Sequence, residues 1–526
     1  MKANGTRRER GAYYTPAWVA NALALWAIRS HRDKVLDPAA GNGDLLLAAA
    51  DRIAALGGIP TTQLFGAELH GPTVNRLRKR LAGIASATNL LHGDFFAVAD
   101  GLGSCDAIVA NPPYVRHHDI PVRRMSSMRA SLNGNAQVVE GKASAWAYFV
   151  AHAPTLLRAG GRAAFVLPAE VLSADYSTAI VQYLATKFNS VQLVYCNGDV
   201  FPRLNQKIVL CLADGYRADK RSECTPQWTQ VDARAPTRQS DIVPWSTATW
   251  GDVPGGWRLP RLLASPGAIK LNELLSRRAG VRVLGEIASV GIGYVTGGNE
   301  FFHLSESDRQ RHGLHARHLT KALPSSGDAR GASFGESDWE HLRASGRPCW
   351  LLTPKHTRDV AVQRILRKGR LAKVHRGYKC ENRENWWKVP LRAPAPAFMG
   401  YTGSMPTIRE NGAGVAVSNS LFELSALEDV SARSLALGSI TSVFQLSALL
   451  NARVLGGGLR KLEPSDVSRA SIPVAEVTSK DFRRVDALLR SGNATAARLL
   501  ADQIVLKGAL GWTDAAIADL QDAGRD

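Results

Sequence analysis

Residues 35–44 read Val35-Leu36-Asp37-Pro38-Ala39-Ala40-Gly41-Asn42-Gly43-Asp44. The segment Lys34-Val35-Leu36 has the character of a buried strand and gives way to small residues; a helical pattern then runs from Leu45 to Ala55. Small residues let backbone approach a ligand closely, and the start of the helix favours negative charge. The loop is not the dinucleotide-binding G-x-G-x-x-G; an acidic residue ends the strand instead. Asp37 suits an ammonium group. The loop that runs on from Pro38 through Ala40, Gly41 and Gly43 offers amides that suit a carboxylate. A zwitterionic amino acid satisfies both.

Working outward, helical and strand patterns alternate from about residue 17 to 213. Helices are expected at Ala17 to Ile28, Pro72 to Leu81, Ala145 to Leu157 and Glu170 to Phe188. Strands are expected at Leu64 to Ala67, Ala107 to Ala110, Arg162 to Leu167, Val191 to Tyr195 and Lys207 to Leu212. Alternating βα units predict an α/β fold, a doubly wound and mainly parallel sheet with helices on both faces. Ligands of such sheets sit at the carboxyl ends of the strands.

Three further strand tips carry chemistry. Phe65-Gly66-Ala67-Glu68 ends in an acid placed for ribose hydroxyls. His92-Gly93-Asp94-Phe95-Phe96 adds an acid and aromatics suited to an adenine ring. Glu68 or Asp94 alone reads as a helix cap or a solvated charge. Three acids at three successive tips describe amino acid, ribose and adenine together: S-adenosylmethionine. The fourth tip is Asn111-Pro112-Pro113-Tyr114. Two prolines remove two backbone donors and fix two φ angles, and Asn111 is pushed toward extended backbone. By itself the tetrapeptide is a turn.

The chain has 526 residues and a formal net charge of +19. A basic surplus of this size implies a polyanionic partner. No run of about 18 apolar residues and no signal peptide is evident, so no membrane is expected and a cytoplasmic location is. Six cysteines without C-x-x-C pairing read as reduced thiols, not as a disulfide frame or a zinc site. No metal is expected.

The ordered set resembles the gamma class of S-adenosylmethionine-dependent DNA adenine-N6 methyltransferases, the TaqI-type architecture with a C-terminal target-recognition domain. In that class a segment like Gly11-Ala12-Tyr13-Tyr14-Thr15-Pro16 precedes the glycine loop and closes over the methionine part of the cofactor. The loop, Glu68 and Asp94-Phe95 follow in family order, and then the N-P-P-Y signature, Asn111 to Tyr114. Val200-Phe201-Pro202 stands where the family has an aromatic that packs on the target base. Downstream, Gly291 to Phe302 resembles the opening of the recognition domain, and Gly456-Gly457-Gly458-Leu459-Arg460-Lys461-Leu462 to Pro473 its end. Departures are the insertion after Tyr114 and the poorly patterned stretch from 214 to 280.

The resemblance implies Asn111 and Pro112 as acceptors for the N6 hydrogens, and Tyr114 and Phe201 as stacking walls for a flipped base. It implies cofactor contacts from Tyr14, Thr15, Pro16, Asp37, Pro38, Ala40, Gly41, Gly43, Glu68, Asp94, Phe95 and Asn111. The expected organisation is a methyltransferase domain over 1–245, a linker over 246–280, a recognition domain over 281–475 and a helical segment over 476–526. Val115 to Lys142 is expected as a basic loop contacting phosphate through Arg116, Arg123, Arg124 and Arg129. Trp386-Trp387, amid Arg376, Lys379, Arg383 and Lys388, reads as core. The expected substrate is double-stranded DNA; a separate restriction endonuclease or other defence-system subunit is the expected partner. With motifs beginning at residue 11 and about fifty residues behind the recognition domain, the chain is expected to modify and not to cut. Two alternatives stay open: an RNA or protein-glutamine amino-methyltransferase, and a nucleic-acid-binding subunit with a vestigial methyltransferase fold.

Overall fold

The computed structural model describes residues 15–523 except 133–138, 140–142, 199, 202–206, 218–222, 233–244, 246–247, 254–258, 356, 402–404, 428–429 and 455–459. These residues form two compact units, one up to Leu262 together with Val454, and one covering Leu263–Arg453 and residues 460–523.

The first unit is built on one mixed sheet. Its strands are β1 (Val35–Asp37), β2 (Leu64–Glu68), β3 (Leu90–His92), β4 (Cys105–Ala110), β5 (Leu157–Pro168), β6 (Ser190–Asn197), β7 (Ile208–Asp214), β8 (Gln227–Asp232) and β9 (Gly251–Asp252). Their order is β3-β2-β1-β4-β5-β7-β6-β8-β9. The five strands from β3 to β5 run parallel. β7 is antiparallel to both β5 and β6, between which it is inserted. The order reverses between β1 and β4, which makes the switch point where ligands of such sheets bind.

Side-chain alternation explains the layering, since successive strand residues point to opposite faces. Leu36, Ile108, Ala110, Ala163, Phe165 and Leu167 pack on one face with helices Ala145–His152 and Asp175–Lys187. Val35, Ala107, Val109, Ala164 and Val166 pack on the other with helices Ala17–Ala27, Asp44–Ala55 and Gly71–Arg80. A sheet covered on both faces needs strands apolar throughout, as β4 and β5 are. Asp33, just before β1, ties the layers. One of its oxygens accepts from Arg29 N at 2.9 Å, Ser30 N at 3.1 Å and the Arg162 guanidinium of β5 at 2.8 Å.

Two expectations are corrected here. The segment after Tyr114 is not a featureless loop: Val122–Ala130 is a helix with Met125 and Met128 in the core. Arg124 is drawn into an ion pair with Asp94. Part of the expected linker, 246–280, is structured. Pro266–Leu275 is a helix capped by Ser265, and its Ala268 and Leu275 are buried with Val443, Leu450 and Trp512 of the second unit. Pro266 and Gly267 in its first turn disguised it, although proline suits that position.

The second unit has a four-stranded antiparallel sheet ordered Ala288–Ile292, Leu421–Ala426, Ala397–Gly400, Ile408–Glu410. A second sheet is ordered His303–Leu304, Trp350–Leu352, Leu319–Leu323, Ala416–Val417. Val281–Val283 pairs with Ser471–Pro473. Helices Ala432–Ile440, Ser442–Asn451, Ser479–Arg490 and Ala494–Ala501 share one core. The fully buried carboxylate of Asp502 accepts from Ser442 N at 2.8 Å and Ser442 Oγ at 2.7 Å, which closes that core. The expected helical tail thus belongs to this unit. Trp386 packs on Phe301 with ring centroids 5.5 Å apart, and Trp387 lies against the same core. No single helix among the described residues is long and apolar enough to cross a membrane; one bent pair, Ala432–Ile440 with Ser442–Asn451, passes by length and composition, and its residues are mostly buried in the second unit's core.

Candidate active site

Four polar residues come to the carboxyl edge of the sheet around the switch point. Asp37 ends β1 and Glu68 ends β2. Asp94 stands two residues beyond β3, and Asn111 directly follows β4. Register makes this necessary, because Asp37 pairs with Gly66, Glu68 with His92, and Ala110 with Phe165.

The loop after β1 is shaped by two left-handed glycines. Gly41 has φ +51° and Gly43 +86°. A Cβ on Gly43 would also lie 2.7 Å from Leu77 Cδ1. Ala40 N donates to Ala67 O at 2.9 Å, which pins the loop to β2, and Gly43 N donates to Ala40 O at 2.7 Å. Glu68 holds the same loop from the side: it accepts from Gly41 N at 3.0 Å and from His70 N at 2.8 Å. The Gly41 amide expected to meet a ligand carboxylate is therefore bonded to Glu68.

Asp37 is 2% exposed. Its carboxylate accepts from Ala39 N at 3.0 Å. Burial, reinforced by the negative charges of Glu68 and Asp44, pushes its carboxyl up to about 8 against the one backbone bond that favours the charged form. Asp44 itself is paired with Arg80 at 2.6 Å. Burial and acidic neighbours both favour the neutral form of this carboxyl.

Asp94 stands just before the turn Phe95–Val98, and its carboxylate accepts from Arg124 Nε at 2.9 Å. Both side chains are mostly buried. Phe95 is packed away, stacked on Phe149 at 5.5 Å and edge-on to Phe96 at 5.4 Å. It supports Asp94 from within the core and presents no open ring face.

Asn111 is half-buried, and its side-chain nitrogen donates to Thr15 Oγ1 at 3.2 Å. That bond turns the amide oxygen away from Thr15. Thr15 is buried and Pro16 stands at the start of the Ala17–Ala27 helix; Tyr14 lies outside the described residues. Tyr114 is half-buried, and its hydroxyl donates to Val166 O of β5 at 3.1 Å. Phe201 departs from expectation: it is 6% exposed and packed with the core of Val200, Ile208 and Trp245. Pro202 and Gly456 to Leu459 lie outside the described residues.

Sequence reasoning missed the Arg124–Asp94 pair and the Thr15–Asn111 bond. The first was hidden in a segment without strong period. The second joins residues 96 apart, and no spacing rule reaches that far.

Comparison with known proteins finds matches along nearly the whole chain. Residues 1–235 match the N-6 DNA Methylase family. Residues 259–506 match the C-terminal domain of Type II methyltransferase M.Eco57I. Type II methyltransferase M.XamI of Xanthomonas campestris pv. amaranthicola is 27% identical over 483 residues, covering 89% of this chain and 85% of that one. Type II methyltransferase M.AccI of Acinetobacter calcoaceticus is 21% identical over 482 residues, covering 88% and 85%. In structure, the Type IIL restriction-modification enzyme MmeI, solved in complex with DNA, shares the fold with a TM-score of 0.56 at 13% identity, covering 99% of this chain and 79% of that one. The alternative of an RNA or protein-glutamine methyltransferase finds no support among these matches. Together these matches support an N6 DNA methyltransferase of restriction-modification type with a C-terminal domain.

Proposed function

We propose that the carboxyl edge of β1, β2, β3 and β4 binds S-adenosylmethionine, and that Asn111 and Pro112 present N6 of an adenine flipped from duplex DNA to the methyl group. When bound, S-adenosylmethionine supplies an electrophilic methyl on a sulfonium. Asp37 fits its ammonium group, because a cation beside it would favour the charged carboxylate and offset the burial that holds this carboxyl up to about 8. Glu68 has lone pairs beyond the two used by Gly41 and His70, since a carboxylate offers about four acceptor sites. It would hold the ribose hydroxyls while keeping the loop in place. Asp94, oriented by Arg124, would accept from the adenine amino group. Thr15 and Pro16 open the helix above Asn111 and would line the methionine part, with Tyr14 before them.

The observation that carries the reading is the build of the β4 tip. Adenine N6 is a poor nucleophile because its lone pair is delocalised into the ring. Two acceptors aimed at its hydrogens draw it toward tetrahedral geometry, as an oxyanion hole does with opposite sign. Asn111, its nitrogen engaged by Thr15, would turn its oxygen to that task beside the carbonyl of Pro112, in a dipeptide of prolines that carries no N–H. Asn111 is an amide, so no base acts before transfer and the proton leaves afterwards. Tyr114, tethered to β5 through its hydroxyl, would offer a fixed ring to the flipped base. Stacking of about 1–3 kcal/mol per base offsets part of a flipping cost of a few kcal/mol. Phe201 would serve as the opposite wall only after leaving its core contacts.

The chain would then act as the modification enzyme of a restriction-modification or other defence system, beside a separate endonuclease. The test is to incubate the purified chain with S-adenosylmethionine and duplex DNA and to identify the modified nucleoside by mass spectrometry. N6-methyladenine is expected. Methylation of cytosine, or of RNA alone, would overturn the assignment.

A further inference from the structure

The second unit carries a concentration of unneutralised positive charge. Residues 358–392 hold eleven Lys or Arg against three Asp or Glu, a surplus of eight within a chain whose total is nineteen. Its centre is the helix Val360–Leu371. Val362, Ile365 and Gly369 face inward, and Gly369 is where Trp386 and Phe301 come so close that a side chain would not fit. At 100° per residue, Val360, Arg364, Arg367, Lys368 and Leu371 fall on the opposite side, and all five are exposed. Arg370, Lys373, Arg376 and Lys379 extend the exposed charge beyond the helix.

Charge on an ordinary surface is interspersed with the opposite sign. Here no ion pair joins Arg364, Arg367, Lys368, Arg370, Lys373, Arg376 or Lys379 to a carboxylate among the described residues. Asp359, the one acid at the start of the helix, caps it through Ala361 N and pairs with Arg317. The field is felt nearby: burial, helped by Lys368, Arg311 and Arg364, holds His312 below its ordinary value. Within the same surface stand large exposed apolar side chains, Val360 at 68%, Leu371 at 77% and Tyr378 at 75%.

We infer that the outer face of the Val360–Leu371 helix, with Lys373 to Lys379 beyond it, is a docking surface for the phosphates of duplex DNA, with Tyr378 placed to contact bases. This rests on the reading of the chain as a DNA methyltransferase and assigns the contact to named residues. A helix of this length spans about 18 Å, enough to follow several successive phosphates along a groove. Cations held apart from carboxylates suit phosphate, which they neutralise with release of counterions. Exposed apolar and aromatic groups among those cations suit the apolar parts of base edges and sugars in a groove.

The test uses the full chain and a fluorescent duplex oligonucleotide, with affinity followed as salt is raised. The variant Arg364→Gln/Arg367→Gln/Lys368→Gln should bind the duplex at least roughly tenfold more weakly, and the slope of log affinity against log salt should flatten by about 0.9 for each phosphate no longer neutralised. Lys480→Gln/Arg483→Gln, equally exposed elsewhere in the unit, should leave both unchanged. An unaltered affinity and slope in the triple variant, while the unaltered chain still methylates DNA, would overturn this inference and leave the functional reading standing. Loss of binding to RNA or to anionic vesicles, with duplex binding intact, would overturn it in favour of that partner. An unaltered chain that neither binds nor methylates duplex DNA would remove both.

Discussion

Asp37 is the residue on which pH acts. Burial holds its carboxyl up to about 8, well above the 3.8 of an ordinary aspartate. The unfolded chain has therefore lost that proton over a range in which the folded chain keeps it. The contribution to stability is present below the ordinary value and declines as pH rises toward 8. An ammonium ligand reverses the preference, so binding S-adenosylmethionine below pH 8 should expel a proton, and affinity should rise with pH by at most about tenfold per unit. Calorimetry in buffers of different ionisation enthalpy reads that proton. Asp37→Asn should bind weakly and release none; proton release undiminished in that variant would place the effect elsewhere. Tyr114→Ala should slow turnover by an amount worth about 1–3 kcal/mol of lost stacking, while Tyr114→Phe keeps most of the rate. Equal rates for the two would separate the ring from the chemistry. Phe201→Ala tests a different question: its core position implies a loss of stability of about 3–5 kcal/mol whatever it does to a base. A melting temperature that does not move would free the ring for stacking.

At the scale of elements, the loop and helix after β1 were legible because chemistry and backbone agree there. Small residues follow an acid, and glycine stands where φ is positive. Gly43→Ala should cost about 2 kcal/mol or more, from left-handed backbone together with the clash against Leu77, and a thermal melt should show it. An unchanged melting temperature would mean that the loop relaxes freely. The helix Val122–Ala130 was not legible. Its sequence VRRMSSMRA is charged, with only two inward methionines, and Arg124 gains its meaning from Asp94, 30 residues earlier. That ion pair is mostly buried, so Arg124→Ala and Asp94→Asn should be non-additive in stability, with a coupling of about 1 kcal/mol in a double-mutant cycle. Simple additivity would make it a surface pair of no consequence. The helix Pro266–Leu275 escaped for the opposite reason, since local punctuation suggested a connection while burial made it part of a core.

At the scale of the molecule, the α/β unit could be read in advance because strands buried on both faces leave uninterrupted apolar runs between helices. The second unit was read only as a texture of short strands. Its sheets join strands of two to six residues across long separations, as when Ala288 pairs with Ala426, and no local period encodes such pairing. The basic surplus was visible as a sum, whereas its concentration on one helix face needed the fold. What unites these observations is the claim that Asn111 and Pro112 present an adenine amino group for methylation in DNA. Long-read sequencing of DNA from cells expressing the chain tests it most directly, with Asn111→Ala expressed in parallel and its cofactor affinity measured separately. The account predicts N6-methyladenine in one short sequence context for the unaltered chain, none for the variant, and near-normal cofactor binding in both. Full methylation by Asn111→Ala would contradict it.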